Sequence, residues 1–451
     1  MRHSFRASAI CIALALAMSG AADRAHAQPA PSGQQPRYLT FGQARGLYYL
    51  PAGPAPHVAF LAIHRTADYL QHPSCLELPK RGYAALCMNT RFINSEFNVD
   101  WDRIALDVKA GVEFLRKQPG IEKVILFAHS GGGPSLSFYQ AVAENGVAYC
   151  QTPSRIWPCR DDLAGLPKAD AIVFADAHPG PGITTLRSLS GAVIDETPGK
   201  IDPALDPFNP ANGYNPSGQS HYSADFQTRY FAAQSRRMNR LIDQSRDRLA
   251  AIRAGKGPYP DNDALIIPGG GNPGAGPGAT SQLPSFQTDL PQRLTQAPRK
   301  LLRNDGSITT EIVKSVGAPD LVSQKLVGGF DTGTKILSLR SFLSTNAVYS
   351  TNSNDGIDYC SANASTVCAV HSIRVPILVM GMGAHYFVRD SEIEYEQSAS
   401  ADKDLIFIEG STHGFTPCGN CALPASAYGN VRKNMFDYVA AWTQKRFTNE
   451  R

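Results

Sequence analysis

Residues 124–134 read Val-Ile-Leu-Phe-Ala-His-Ser-Gly-Gly-Gly-Pro. Four apolar residues end at a small one, Ala128. A serine follows between His129 and Gly131, with Gly132 behind it. Apolar runs of this length bounded by glycine read as buried strands, and a helix-compatible stretch follows from Pro134 to Asn145. Ser130 thus sits at a tight strand-to-helix turn, where a hydroxyl is lifted clear of the sheet edge. Such a turn needs small residues at positions 128 and 132, because the two backbones approach closely. A serine among glycines is also what an ordinary turn contains, so the stretch acquires meaning only from its surroundings.

Working outward, the chain alternates between short apolar runs and helical patterns. Strands are expected at His57–His64, Tyr83–Asn89, Lys123–Phe127, Asp170–Asp176, Val375–Gly381 and Asp404–Glu409. Ile104 to Lys117 carries apolar residues at helical spacing (Ile104, Val108, Val112, Leu115). Continuous Val/Ile/Leu strands separated by helices indicate a parallel sheet covered on both faces.

Residues 181–370 break the rhythm. A basic amphipathic helix is expected from about Ser223 to Ala254, stopped by Gly255. A Gly- and Pro-rich stretch that includes 268–277 follows. It holds neither a G-x-G-x-x-G after a strand nor a Lys-Ser/Thr ending, so it is no phosphate cradle. The segment reads as a cap or lid inserted between two halves of a core, 28–180 and 371–451. The aromatic run from Tyr222 to Phe231 is the composition of core packing, and also of a surface that selects an aromatic or polymer-derived substrate by shape.

The first 27 residues read as a secretory signal. Arg2 and Arg6 precede an apolar stretch from Ala7 to Ala17, and Ala25-His26-Ala27 fits a small-x-small cleavage site. The apolar run is too short for a membrane span. Cleavage leaves 424 residues and lowers the formal net charge from +4 to +2. Nothing there suggests nucleic acid or an anionic membrane as partner. It also removes Cys11 and leaves eight cysteines, an even number suited to an oxidising compartment. Disulfides are expected for Cys150–Cys159 and Cys360–Cys368, then for Cys418–Cys421 and Cys75–Cys87. The C-x-x-C at Cys418 lies in a Pro- and Gly-containing loop, which suits structural bonding better than redox chemistry or zinc.

Near the C-terminus, the strand ending at Ile408 runs into Glu409-Gly-Ser-Thr-His413-Gly-Phe415. A histidine in a glycine-flanked loop after the last strand can reach back over the sheet edge. A serine hydroxyl is a weak nucleophile at neutral pH and needs such an imidazole to take its proton.

With Ala128-His-Ser-Gly-Gly132 after a strand, Gly410-x-x-His413-Gly-Phe near the end and Arg81-Gly-Tyr-Ala-Ala upstream, the chain resembles the α/β-hydrolase superfamily. The matching positions cover about 55–180 and 373–445. The resemblance implies an eight-stranded, mostly parallel sheet with a cap insertion, and a Ser–acid–His triad using Ser130 and His413. It also implies an oxyanion hole built from the Gly131 N–H and an N–H of Arg65 or Thr66, with His64 shaping the turn. The elbow carries alanine where glycine is commoner.

The acid departs from the usual pattern. Ala384 stands three residues after Gly381, where many members carry Asp. Asp176, ending its strand, is one replacement. Glu392 or Asp390 is another, although both also read as the start of a helix. His64, His178 and His385 lie beside these loops and are candidates to line the substrate pocket. No metal-binding spacing links them, so no metal and no cofactor is expected. The reaction expected is cleavage of a small-molecule or polymer-derived carboxylic ester. The same triad also serves C–C, lactone and amide cleavage, and a degenerate elbow on a non-catalytic binding module is the remaining alternative.

Overall fold

The computed structural model describes residues 35–197, 199–272 and 282–447. The expected signal segment, 1–27, and part of the glycine-rich stretch lie outside the described residues.

Six strands come from the first part of the chain: β1 (Arg37–Phe41), β2 (Ala44–Tyr49), β3 (Val58–His64), β4 (Ala84–Asn89), β5 (Lys123–Ser130) and β6 (Ala171–Ala177). The insertion supplies β7 (Ala264–Ile267), β8 (Arg299–Leu302), β9 (Ile308–Glu311), β10 (Lys335–Ser338), β11 (Ser350–Asn352) and β12 (Gly356–Ile357). The last part supplies β13 (Ile377–Met382) and β14 (Lys403–Ile408). The main sheet runs β1-β2-β4-β3-β5-β6-β13-β14-β8-β9. From β4 to β8 every pairing is parallel. Antiparallel strands close both edges. This is the α/β-hydrolase fold, with each predicted core strand in place.

The strand count differs from the expected eight. Ten strands form the sheet because the insertion sends β8 and β9 back to it. An open β14 edge would leave a row of unpaired backbone groups. β8 covers it, burying Leu301 and Leu302 and pairing Lys300 Nζ with Asp404 Oδ1 at 2.6 Å.

Every residue of β3, β4 and β6 is buried. Alternate residues face opposite layers. Leu61, Leu86 and Leu126 pack on Ile104, Val108 and Val112 of the helix Trp101–Arg116. Phe60, Ile125 and Phe127 pack on Met435, Phe436 and Val439 of the helix Val431–Phe447. A separate apolar cluster forms where Met238, Leu241 and Ile242 of the helix Ala224–Arg253 meet Ile267 and Leu337 of the β7–β10 ribbon, joined by Ile156 from the first part of the chain. Tyr222, Phe226 and Tyr230 are buried and stacked within a further cluster. These three of the aromatic run are therefore packing residues. All four expected disulfides are present: Cys75–Cys87, Cys150–Cys159, Cys360–Cys368 and Cys418–Cys421.

Candidate active site

β5 ends at Ser130, and the helix Gly132–Asn145 begins two residues later. Ser130 takes φ of 54°, a left-handed conformation rarely tolerated outside glycine. The glycines behind it explain how the turn fits. A Cβ at Gly132 would lie 2.5 Å from Ile63 O, one at Gly133 would lie 2.6 Å from Ala177 Cβ, and one at Gly131 would collide with the His64 ring. Strands β3 and β6 therefore clamp the elbow from both sides.

The same pressure shapes β6. Its pairing with β5 is in step through His129 and Ala175 and then shifts, so that Ser130 faces Ala177. Asp176 is the extra residue of this bulge and has φ of 47°. Bulges re-aim side chains, and this one sends the Asp176 carboxylate toward the loop after β14. Phe415, in that loop, has φ of 59°. Three of the four non-glycine residues with positive φ among the described residues thus belong to this site, where strained backbone tends to gather.

His413 connects the two. Its Nδ1 lies 2.5 Å from Asp176 Oδ2, and its Nε2 lies 2.9 Å from Ser130 Oγ. With Nδ1–H donated to the carboxylate, Nε2 is left to accept the Ser130 proton. Asp176 Oδ1 accepts from the Met382 N–H at 3.3 Å. Burial alone would push the Asp176 carboxyl up. The His385 and His413 imidazoles outweigh it and hold the group below the usual carboxylate range.

His385 and His178 complete the immediate ring. His385 Nδ1 is 2.7 Å from Asp176 Oδ2 but off the line of a hydrogen bond, so its influence is electrostatic. His178 Nε2 is 3.2 Å from Ser130 Oγ. His64 turns inward at the end of β3, where its Nδ1 accepts the N–H groups of Thr66 and Ala67 at 3.0 and 2.8 Å. The Thr66 N–H is thereby engaged, which leaves Arg65 and Gly131 as the candidate oxyanion donors. Gly131 precedes the open N-terminus of a helix, where backbone donors go unpaired.

A second layer was invisible in the sequence. His129 Nε2–H donates to His413 O at 2.9 Å, so its Nδ1 must accept, and His72 Nε2 lies 2.9 Å away to donate. His72 Nδ1 in turn accepts from the Ser74 N–H at 3.2 Å, and Tyr69 O–H donates to His129 O at 3.1 Å. This chain holds the His413 loop from behind. Burial pushes His72 down to about 3 and pushes His64, His129 and His178 well below their ordinary value. Four of the surrounding rings are therefore neutral at pH 7. No spacing rule pointed to His72 or Tyr69, which lie in the loop after β3.

Two acid candidates are elsewhere. Glu392 is fully buried and far from need of a histidine: it accepts from Gln296 N (2.7 Å), Ala297 N (3.2 Å), Arg299 Nε (2.7 Å) and Arg389 Nη1 (2.5 Å). It ties the insertion's return strand to the helix Val388–Gln397. Asp390 accepts two bonds from Arg187 Nη1, both at 2.9 Å, and lies in the helix's first turn rather than at its cap. The sequence alternative placed the acid on this helix; the structure pairs Asp390 with Arg187 and Glu392 with Arg299, Arg389 and two backbone N–H groups, while His413 Nδ1 faces Asp176.

Asp176, His385 and His413 bring three potential metal-ligating atoms within 4.8 Å of one another. In this arrangement both nitrogens of His413 are already engaged, which suits proton transfer rather than ligation.

No protein-family model and no curated relative matches the sequence. Solved structures of similar fold include Est1E from Butyrivibrio proteoclasticus (10% identity over 90% of this chain and 100% of that one, TM-score 0.36). The siderophore hydrolase EstB from Aspergillus fumigatus is another (11% identity, 91% and 99% covered, TM-score 0.41). A third is a soluble variant of monoglyceride lipase from Saccharomyces cerevisiae (12% identity, 94% and 97% covered, TM-score 0.39). At such identities residue roles do not transfer between chains.

Proposed function

We propose that this protein is an exported serine hydrolase that cleaves carboxylic esters. The observation that carries the reading is the unbroken line Asp176 Oδ2–His413 Nδ1 and His413 Nε2–Ser130 Oγ, at 2.5 and 2.9 Å. In this mechanism Ser130 Oγ attacks the ester carbonyl carbon while its proton passes to His413 Nε2. The Gly131 and Arg65 N–H groups hold the developing oxyanion. His413 then returns the proton to the leaving alcohol, giving an acyl-Ser130 enzyme. Water, deprotonated by His413, releases the carboxylic acid and restores the hydroxyl. Asp176 keeps His413 in the required tautomer and stabilises the imidazolium. A triad with all three members in reach counts against a degenerate binding module, whose one support was the missing acid after β13.

The test is hydrolysis of p-nitrophenyl esters by purified mature protein and by Ser130→Ala. We expect the variant to lose more than about 10³-fold in kcat/KM. Full activity in Ser130→Ala would overturn the proposal.

A further inference from the structure

Ser130 Oγ lies within hydrogen-bond reach of two imidazoles. His413 Nε2 is 2.9 Å away and His178 Nε2 is 3.2 Å away. The mechanism above uses only the first. A hydroxyl has one proton to give and lone pairs with which to accept. His413 Nδ1–H is committed to Asp176, so its Nε2 is the atom that takes the Ser130 proton. The second bond therefore runs the other way: His178 Nε2–H donates and Ser130 Oγ accepts. Desolvation among these rings, and then the charge of His413, pushes His178 well below its ordinary value. It is a neutral ring at pH 7, with one N–H, and that N–H points at the nucleophile.

The ring is held where it is. His178 follows directly on the β6 bulge that projects Asp176, and its own N–H donates to Ser130 O at 2.9 Å. Its carbonyl accepts from Thr366 Oγ1 at 2.6 Å, and the Thr366 N–H donates to Pro179 O at 2.9 Å. The backbone on both sides of the ring is thus tied, once to the elbow and twice to Thr366. Phe387 meets the ring at 85° with centroids 5.1 Å apart, and the His413 ring lies within 25° of parallel at 5.7 Å.

We infer that His178 is a second catalytic imidazole of this site, a fixed N–H donor that stabilises the negative charge Ser130 Oγ carries as it attacks and again as it departs. In acylation the Oγ–H bond breaks toward His413 Nε2 while the Oγ–C bond forms. In deacylation the Oγ–C bond breaks and His413 returns the proton to Oγ. His178 keeps its own proton throughout. A donor already aimed at a reacting oxygen needs no reorganisation when the charge develops. Oγ is the nucleophile of the first half-reaction and the leaving group of the second, so the donor acts on both, whatever alcohol leaves. The inference rests on the ester-hydrolase reading and adds a residue to its chemistry.

The experiment follows the burst and the steady state of p-nitrophenyl acetate and p-nitrophenyl butyrate hydrolysis by stopped flow, which separates acylation from deacylation. His178→Phe keeps a ring and removes the donor. At 3.2 Å the bond is longer than the best contacts to a reacting oxygen, so the loss should sit at the low end for one such donor, about 10²-fold in each half-reaction and for both esters. His178→Gln presents an amide N–H close to where Nε2 stood and should recover most of that loss. A residue that merely lined the pocket would change KM, one half-reaction or one ester. A selective loss of that kind overturns the inference, and so does a His178→Gln no better than His178→Phe. If His178→Phe does not fold, the wild type decides: imidazole nitrogen spectra of ¹⁵N-labelled protein at pH 7 should show a neutral His178 with its proton on Nε2, and a proton on Nδ1 overturns the inference. Unchanged half-reactions in His178→Phe, with Ser130→Ala inactive, overturn this inference and leave the ester-hydrolase reading standing. Activity that persists in Ser130→Ala overturns that reading as well.

Discussion

Replacing Asp176 by Asn probes the least conventional part of the site. Asparagine tolerates a left-handed backbone, so the φ of 47° at the β6 bulge accommodates it. The side chain keeps its shape and loses its charge. In the transition state His413 carries a positive charge whose centre is about 4 Å from the carboxylate. At an effective dielectric of about 20, that attraction is worth about 4 kcal/mol, or about 10³-fold in rate. An asparagine amide facing Nδ1 also disfavours the tautomer in which Nε2 accepts from Ser130, so the expected loss in kcat is about 10³ to 10⁴. The assay is steady-state hydrolysis of p-nitrophenyl butyrate by wild type and variant, with circular dichroism as a check on folding. A folded Asp176→Asn retaining activity within ten-fold of wild type would refute the reasoning and return the search for the acid to another carboxylate.

Glu392→Gln gives the complementary result. Removing a buried charge that accepts four hydrogen bonds should cost about 1–3 kcal/mol, read as a lower urea midpoint, with kcat/KM within two-fold of wild type; a 10³-fold loss of activity in a stable variant would restore Glu392 as the acid. Asp176 also sets a pH dependence. Its folded value lies below the unfolded one near 4, so its stabilisation is present above that pH and lost as pH falls below it. The thermal midpoint of wild type should therefore drop more steeply between pH 5 and pH 3 than that of Asp176→Asn, and parallel curves would contradict this. Unfolded chain lacking residues 1–27 should take up no iodoacetamide without reductant and eight equivalents after reduction, with the folded protein losing several degrees of thermal midpoint as the four short loops are freed; free thiols in the untreated chain would rule out one or more of the pairs.

What could be read from the sequence was whatever local pattern encodes. β5, its following helix and the run of glycines are contiguous, so Ser130 was placed without tertiary information. His413 was placed because it follows the last strand of a repeating pattern. Asp176 was only half legible. Its position at a strand end was clear, but the bulge that turns it toward His413 arises from the mismatch between β5 and β6, a pairing between distant segments. The surroundings of Glu392 were hidden for a similar reason, since most of the donors that occupy it arrive from residues 296–299. The β8–β9 hairpin was missed because Arg299-Lys-Leu-Leu302 is short and half charged, as edge strands are. The His72–His129 relay was missed because two histidines 57 residues apart carry no spacing signal.

The most direct measurement is covalent labelling of the purified protein with a fluorophosphonate, read by intact mass and peptide mapping. The account predicts one adduct per chain, on Ser130, formed in parallel with loss of esterase activity and strongly slowed in Asp176→Asn. Hydrolysis that continues in fully labelled protein, or an adduct on a residue other than Ser130, would contradict it.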